Sequence, residues 1–219
     1  MSRLRQLGTA LLDAVFPRRC GLCGLLGPDA LCDVCGADFV PLDTTPVRLS
    51  GGPLDARLCA YRYRGRAAQA VRRLKYQRVT SLADPMARRL AEHARNFEAD
   101  LLVPVPIHWS RLHYRGFNQS ERLAEAVETV PLAPGALRRI RATRPQVGLD
   151  RAQRLGNLRG AFRASPEVEG TRVLLLDDVM TSGGTALECA RALKEGGARS
   201  VMLLAFASWG PDEPDWAAP

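Results

Sequence analysis

The chain has 219 residues, 46% hydrophobic and 25% charged, proportions that suit a globular protein with one sizeable core and a small appendage. No run of 18 apolar residues offers a membrane span, and Met1 to Phe16 lacks a small-residue cleavage signal, so a cytoplasmic protein is expected and an exported one is not. The 31 Lys and Arg residues against 23 Asp and Glu give +8, which favours phosphate in any carrier; since only Lys75 and Lys194 are lysines, the arginine excess reads as compositional bias and carries little functional weight.

In chain order, Leu4, Leu7, Leu11, Leu12, Val15 and Phe16 recur at helical spacing until Pro17, predicting an amphipathic helix; packing on its own protein is favoured over a membrane-surface anchor because positive charges are few. Cys20-Gly-Leu-Cys23-Gly24 and Cys32-Asp-Val-Cys35-Gly36 then form a paired CxxC array. Two such turns aim four thiolates at one tetrahedral ion, and the glycine after each second cysteine permits a tight turn. A disulfide or redox pair is the other reading; without an export signal, a closed structural zinc site on Cys20, Cys23, Cys32 and Cys35 is favoured. Cys59 and Cys189 stand alone in apolar surroundings and read as small core residues.

Residues 41 to 53 concentrate turn formers without periodicity and read as a linker. The division expected is 1–45 for helix plus cysteine module, 46–208 for the larger domain and 209–219 for a flexible tail. Within the larger domain, strands are predicted at Arg57 to Tyr63, Leu101 to Val105, Leu137 to Arg141, Val173 to Asp177 and Val201 to Phe206. Helices are predicted at Arg66 to Lys75, Leu82 to Phe97, Ser120 to Val127 and Thr185 to Glu195. Such alternation predicts an α/β fold with a parallel sheet flanked by helices.

The most informative segment is Val173-Leu-Leu-Leu-Asp177-Asp178-Val-Met-Thr181-Ser182-Gly183-Gly184-Thr185, an apolar strand running through two acids into a hydroxyl- and glycine-rich loop that opens a helix. Backbone N–H groups at the helix start, with Thr and Ser hydroxyls beside them, cradle a 5′-phosphate, and the glycines allow close approach. Asp177 and Asp178 would accept hydrogen bonds from ribose hydroxyls or help to hold Mg²⁺. The pattern is neither a Walker A loop nor GxGxxG, which argues against a P-loop ATPase and a dinucleotide-binding domain.

These residues resemble the signature of the type I phosphoribosyltransferases. Leu74-Lys75-Tyr76, Val103-Pro104-Val105-Pro106, Arg111-Leu-His-Tyr-Arg115-Gly116-Phe117-Asn118-Gln119, Arg144-Pro-Gln146, Arg151, Arg154, Asn157 and Ala161-Phe162 extend the resemblance to the ComF family, from Leu11 to Phe206 and including the zinc-ribbon module. The resemblance implies a five-stranded parallel sheet under a hood and a link to natural competence, in which imported single-stranded DNA is processed in the cell. It also implies that Pro104, Val105 and Pro106 lie where diphosphate binds, with backbone amides from Pro104 to His108 and a cis peptide as an option there. Gln146, Arg151, Arg154 and Asn157 map onto a substrate-closing flap, or are helix-surface charges.

Lys75 stands out in an arginine chain as a compact point charge for phosphate, with a solvated helix lysine as the alternative. Arg111, Arg115, Asn118 and Gln119 combine fork-like donors and amides with Phe117, suiting phosphates, stacked bases or a structural loop. His93, His108 and His113 form no recognisable triad, so no catalytic residue is assigned. Two functions are expected. The first is a non-enzymatic ComF-like protein that binds phosphoribosyl diphosphate or a related phosphosugar and handles single-stranded DNA with a competence helicase. The second is a Mg²⁺-dependent phosphoribosyltransferase for which the sequence names no acceptor.

Overall fold

The computed structural model describes residues 18–141 and 158–209. The elements in chain order are α1 (Asp33–Ala37), β1 (Val47–Arg48), β2 (Ala56–Arg62), α2 (Gly65–Tyr76), α3 (Ala83–Ala94), β3 (Leu101–Pro104), α4 (Trp109–Arg115), α5 (Gln119–Ala124), β4 (Leu137–Arg139), β5 (Phe162–Ala164), β6 (Arg172–Met180), α6 (Gly184–Glu195) and β7 (Ser200–Ser208). The first helix expected from the sequence, the flap residues Gln146, Arg151, Arg154 and Asn157, and the tail after Trp209 lie outside the described residues.

Five strands form one sheet in the order β1-β2-β7-β6-β3. β2, β7, β6 and β3 run parallel, with Leu58 opposite Leu204 and Leu102 opposite Leu174, and their carboxyl ends lie along one edge. β6 is apolar from Val173 to Leu176 because both its faces are covered. Leu174 and Leu176 join a core with Val71 and Leu74 of α2, Met86 and Leu90 of α3 and Leu123 of α5. Val173 and Leu175 join a second core with Cys189 and Leu193 of α6 and with Leu137 and Phe162 of the β4-β5 pair. Cys59 and Cys189 are buried in this second core, as small apolar residues should be.

Several expectations need correction. The sheet is not wholly parallel: β1 pairs antiparallel with β2 through Val47 and Arg57. The linker expected at 41 to 53 follows β2 instead, Leu42 N–H donating to Ala60 O at 3.0 Å and Asp43 N–H to Cys59 O at 3.1 Å. Its backbone groups thereby cover an otherwise open edge, although the residues lack strand periodicity. Leu137 to Arg139 is a strand, yet it pairs with Phe162 to Ala164 in a separate two-stranded sheet. Among the described residues no peptide bond is cis, the 104 to 108 loop included.

The segment from Arg111 to Gln119, read as a loop, is largely helical. α4 starts at His108, whose Nδ1 accepts from Ser110 N–H, and stops at Gly116, where φ is +85° and the N–H returns to Leu112 O at 2.7 Å. None of its seven residues is buried, so no inward apolar stripe announces it.

Candidate functional site

The four cysteine Sγ atoms lie within 4.8 Å of one another. All are free thiols, and Cys23 Sγ sits 3.7 Å from Cys32 Sγ, matching the sulfur separation of about 3.8 Å that four bonds of about 2.3 Å impose on a tetrahedron. Leu22 and Cys32 N–H groups each donate to Cys20 Sγ at 3.4 Å. Burial raises the Cys20 thiol, but the N–H donors of Cys32, Cys23 and Leu22 bring it down to about 6. The cluster therefore fits a thiophilic ion. Gly24 makes the expected turn at φ +78°, whereas Gly36 lies inside α1 without a positive φ. An added Cβ at 36 would meet the Arg89 guanidinium, the end of a flexible side chain that can move aside.

This module is seated on α2 and the turn after it. A Cβ on Gly21 would come within 2.7 Å of Leu82 Cγ, and Arg73 of α2 donates to Gly21 O at 2.6 Å. Cys20, Leu22, Leu31, Cys35 and Phe39 share the core of α2 and α3.

At the carboxyl edge of the sheet, Asp177 and Asp178 are engaged by different elements. Lys75, in the last turn of α2, places Nζ 2.9 Å from Asp178 Oδ1; the aspartate side chain is 5% exposed and the lysine 21%. Asp178 Oδ2 is shut from solvent and, among the described residues, meets no hydrogen-bond donor. Ser120 Oγ donates to Asp177 Oδ1 at 3.0 Å, and the Asp178 N–H donates to the same oxygen at 2.9 Å. Burial, then the Asp178 carboxylate, push Asp177 up to about 7, outweighing Lys75 and the two donors. For Lys75 burial works downward, and the charges of Asp178 and Asp177 overcome it to leave the ammonium above its ordinary value.

β6 carries this pair directly into Thr181, Ser182 and Gly183, after which α6 begins at Gly184. Gly183 caps the helix at φ +72° with no side-chain hydrogen bond, so the first N–H groups of a twelve-residue helix open on the turn at Thr181 and Ser182, with Thr185 in the first turn of the helix itself. Beside it, β3 ends in the proline loop. Pro104 and Pro106 have no N–H, and Val105 donates to Leu176 O at 2.9 Å, so the amides of Ile107 and His108 are the ones left to contact an anion there.

Of the remaining sequence-predicted residues, Asn118 and Gln119 are buried. Asn118 caps α5 by accepting from Ser120 N–H at 3.1 Å and donates to Val105 O at 3.1 Å, joining the proline loop to the serine that holds Asp177. Arg115 donates to Gln119 Oε1 at 2.9 Å and lies over the Tyr76 ring at 5.2 Å, which ties α4 to α2. Arg111 is exposed on α4, close enough to Arg139 for its charge to lower that guanidinium's pKa after burial has done so. Lys75, Asp177 and Asp178 thus converge, with the loop from Thr181 following on; the four cysteines form a separate cluster. Ser120 was missed as a site residue, and only its place directly after Asn118-Gln119 hinted at a role.

Comparison with known proteins agrees with this construction. The phosphoribosyl transferase domain matches residues 112–217. The DNA utilization protein YhgH of Salmonella typhi is 36% identical over 149 residues, covering 61% of this chain and 63% of that protein. Competence protein F of Haemophilus influenzae is 30% identical over 117 residues, or 51% of this chain and 49% of its own length. Glutamine phosphoribosylpyrophosphate amidotransferase from B. subtilis is 26% identical over 58% of this chain and 26% of that one, at a TM-score of 0.40 too loose to carry a conclusion. The chain spans less than two thirds of the DNA-utilization relative's length. On these comparisons the chain is similar to competence and DNA-utilization proteins, and residues 112–217, which follow the four-cysteine cluster, match a phosphoribosyl transferase domain.

Proposed function

We propose that this protein binds phosphoribosyl diphosphate, or a related phosphosugar or nucleotide, at Asp177, Asp178 and the Thr181 to Thr185 loop, and acts on imported DNA in the cytoplasm. The observation that carries the reading is one β6-loop-α6 unit holding both halves of a ribose-phosphate site. The uncapped α6 terminus and the Thr181, Ser182 and Thr185 hydroxyls suit the 5′-phosphate, while Asp177 retains an oxygen for ribose hydroxyls. Asp178 Oδ2, a buried acceptor without a donor, is the kind of atom that a ligand hydroxyl satisfies. In this reading the division at 1–45 and 46–208 assigns structural zinc, which the four thiolates fit, to the first part and the phosphosugar to the second. Calorimetry with phosphoribosyl diphosphate tests the site: binding by wild type, lost in Asp177→Asn with Asp178→Asn, is the expected result. Equal affinity in that double variant rules the site out.

A second reading rests on α4. Trp109 and Tyr114 are 73% and 75% exposed, Tyr76, whose ring lies under Arg115 of α4, is 66% exposed, and no Asp or Glu occurs between Asp100 and Glu121. Flat rings among Arg111, His113 and Arg115 match what single-stranded DNA requires of a stacking surface. In this reading Trp109→Ala with Tyr114→Ala weakens oligonucleotide binding and wild-type affinity falls steeply with salt, while phosphosugar binding is unchanged. Salt-independent oligonucleotide binding in both proteins overturns it.

A further inference from the structure

The phosphosugar reading above raises the question of how two adjacent carboxylates are held next to a polyanion. A divalent cation bound directly to the pair fits poorly. Asp178 Oδ1 already lies 2.9 Å from Lys75 Nζ. Its other oxygen is shut from solvent. Mg²⁺ keeps several waters and demands six oxygens, so it needs far more room than the single hydroxyl donor that a small turn of the carboxylate would admit. On Asp177, one oxygen is taken twice over, by Ser120 Oγ and by the Asp178 N–H.

We infer that Lys75 is a built-in counter-ion for the acid pair, a positioning residue that takes the place of a directly bound divalent cation and makes recognition of the ribose 5-phosphate end independent of metal. The ammonium is a compact charge with three donors, one of which is spent on Asp178 Oδ1. With 21% of its side chain exposed, Lys75 has room to turn a second donor toward a ribose hydroxyl or phosphate oxygen. Its helix is anchored on both sides, by Leu74 in the core and by the Arg73 bond to Gly21 O, so the charge is delivered by a fixed element. Arginine occupies nearly every other basic position of the chain, so a lysine at this ion pair stands apart from the compositional bias.

The test uses ribose 5-phosphate, which lacks the diphosphate that would itself bind Mg²⁺. Its affinity for the full-length protein is measured calorimetrically in metal-depleted buffer and with millimolar Mg²⁺, without chelator so that the cysteine cluster is undisturbed. Wild-type affinity is expected to differ by less than about twofold between the two conditions, while Lys75→Met loses about tenfold or more without Mg²⁺ and recovers part of it when Mg²⁺ is added. Lys75→Arg, which keeps the charge, should fold and retain metal-free binding better than Lys75→Met, separating loss of charge from loss of fold. Binding by wild type only with Mg²⁺ overturns the role of Lys75 and leaves the phosphosugar site standing. Equal metal-free affinity in wild type and a folded Lys75→Met overturns it too. No binding by wild type under either condition defeats the phosphosugar reading itself.

Discussion

At Asp177, burial and a neighbouring carboxylate hold the pKa up to about 7, far above its ordinary 3.8. Because the folded value is raised, the folded state binds the proton more tightly than the unfolded chain. The stability associated with that proton is fully present below about pH 4 and is lost as pH rises through about 7. Asp177→Asn, which keeps the shape and removes the charge, is therefore expected to stabilise the ligand-free protein by about 2–4 kcal/mol at about pH 8 and by little at about pH 4. Urea melts at the two pH values check this, and an equal effect at both would show that the ionised carboxylate is not penalised. Lys75 behaves oppositely. Removing it as Lys75→Met leaves the nearly buried Asp178 without its counter-ion, and a loss of about 3–5 kcal/mol is expected in the same melts near neutral pH.

Among the elements, the turn into α6 carries the most local constraint. Gly183 at φ +72° lies where a Cβ meets the following carbonyl, so Gly183→Ala is expected to cost about 1–2 kcal/mol of stability and to lower phosphosugar affinity by crowding the uncapped N–H groups. Melts and calorimetry on the variant read the two effects separately. This element was legible in the sequence, because four apolar residues, two acids and a glycine-rich run each have a local cause. α4 and β1 were not. The helix buries nothing and so shows no 3.6-residue stripe, while β1 is two residues whose pairing depends on a partner strand rather than on its own pattern. The same reason hid Ser120, whose bond to Asp177 spans 57 positions. Lys75 could be singled out only as a lysine in an arginine-rich chain, and its ion pair with Asp178 again depends on the fold.

Over the whole molecule, the cysteine module and the acid pair meet the same helix. Arg73 of α2 holds the carbonyl of Gly21, the residue between Cys20 and Leu22, and Lys75 two positions later holds Asp178. A free-energy cycle then connects the two sites: whatever ion binding contributes to the placement of α2, ligand binding must share, and the influence is the same in both directions. Stripping the ion from the cysteines should weaken ribose 5-phosphate binding, and saturating ribose 5-phosphate should slow release of the ion to a chromophoric chelator. Arg73→Met should weaken this coupling and leave each site able to bind, the remainder passing through the core that the module shares with α2. With an ion on the four thiols and a phosphosugar at the acid pair, α2 would be the element through which each is felt by the other.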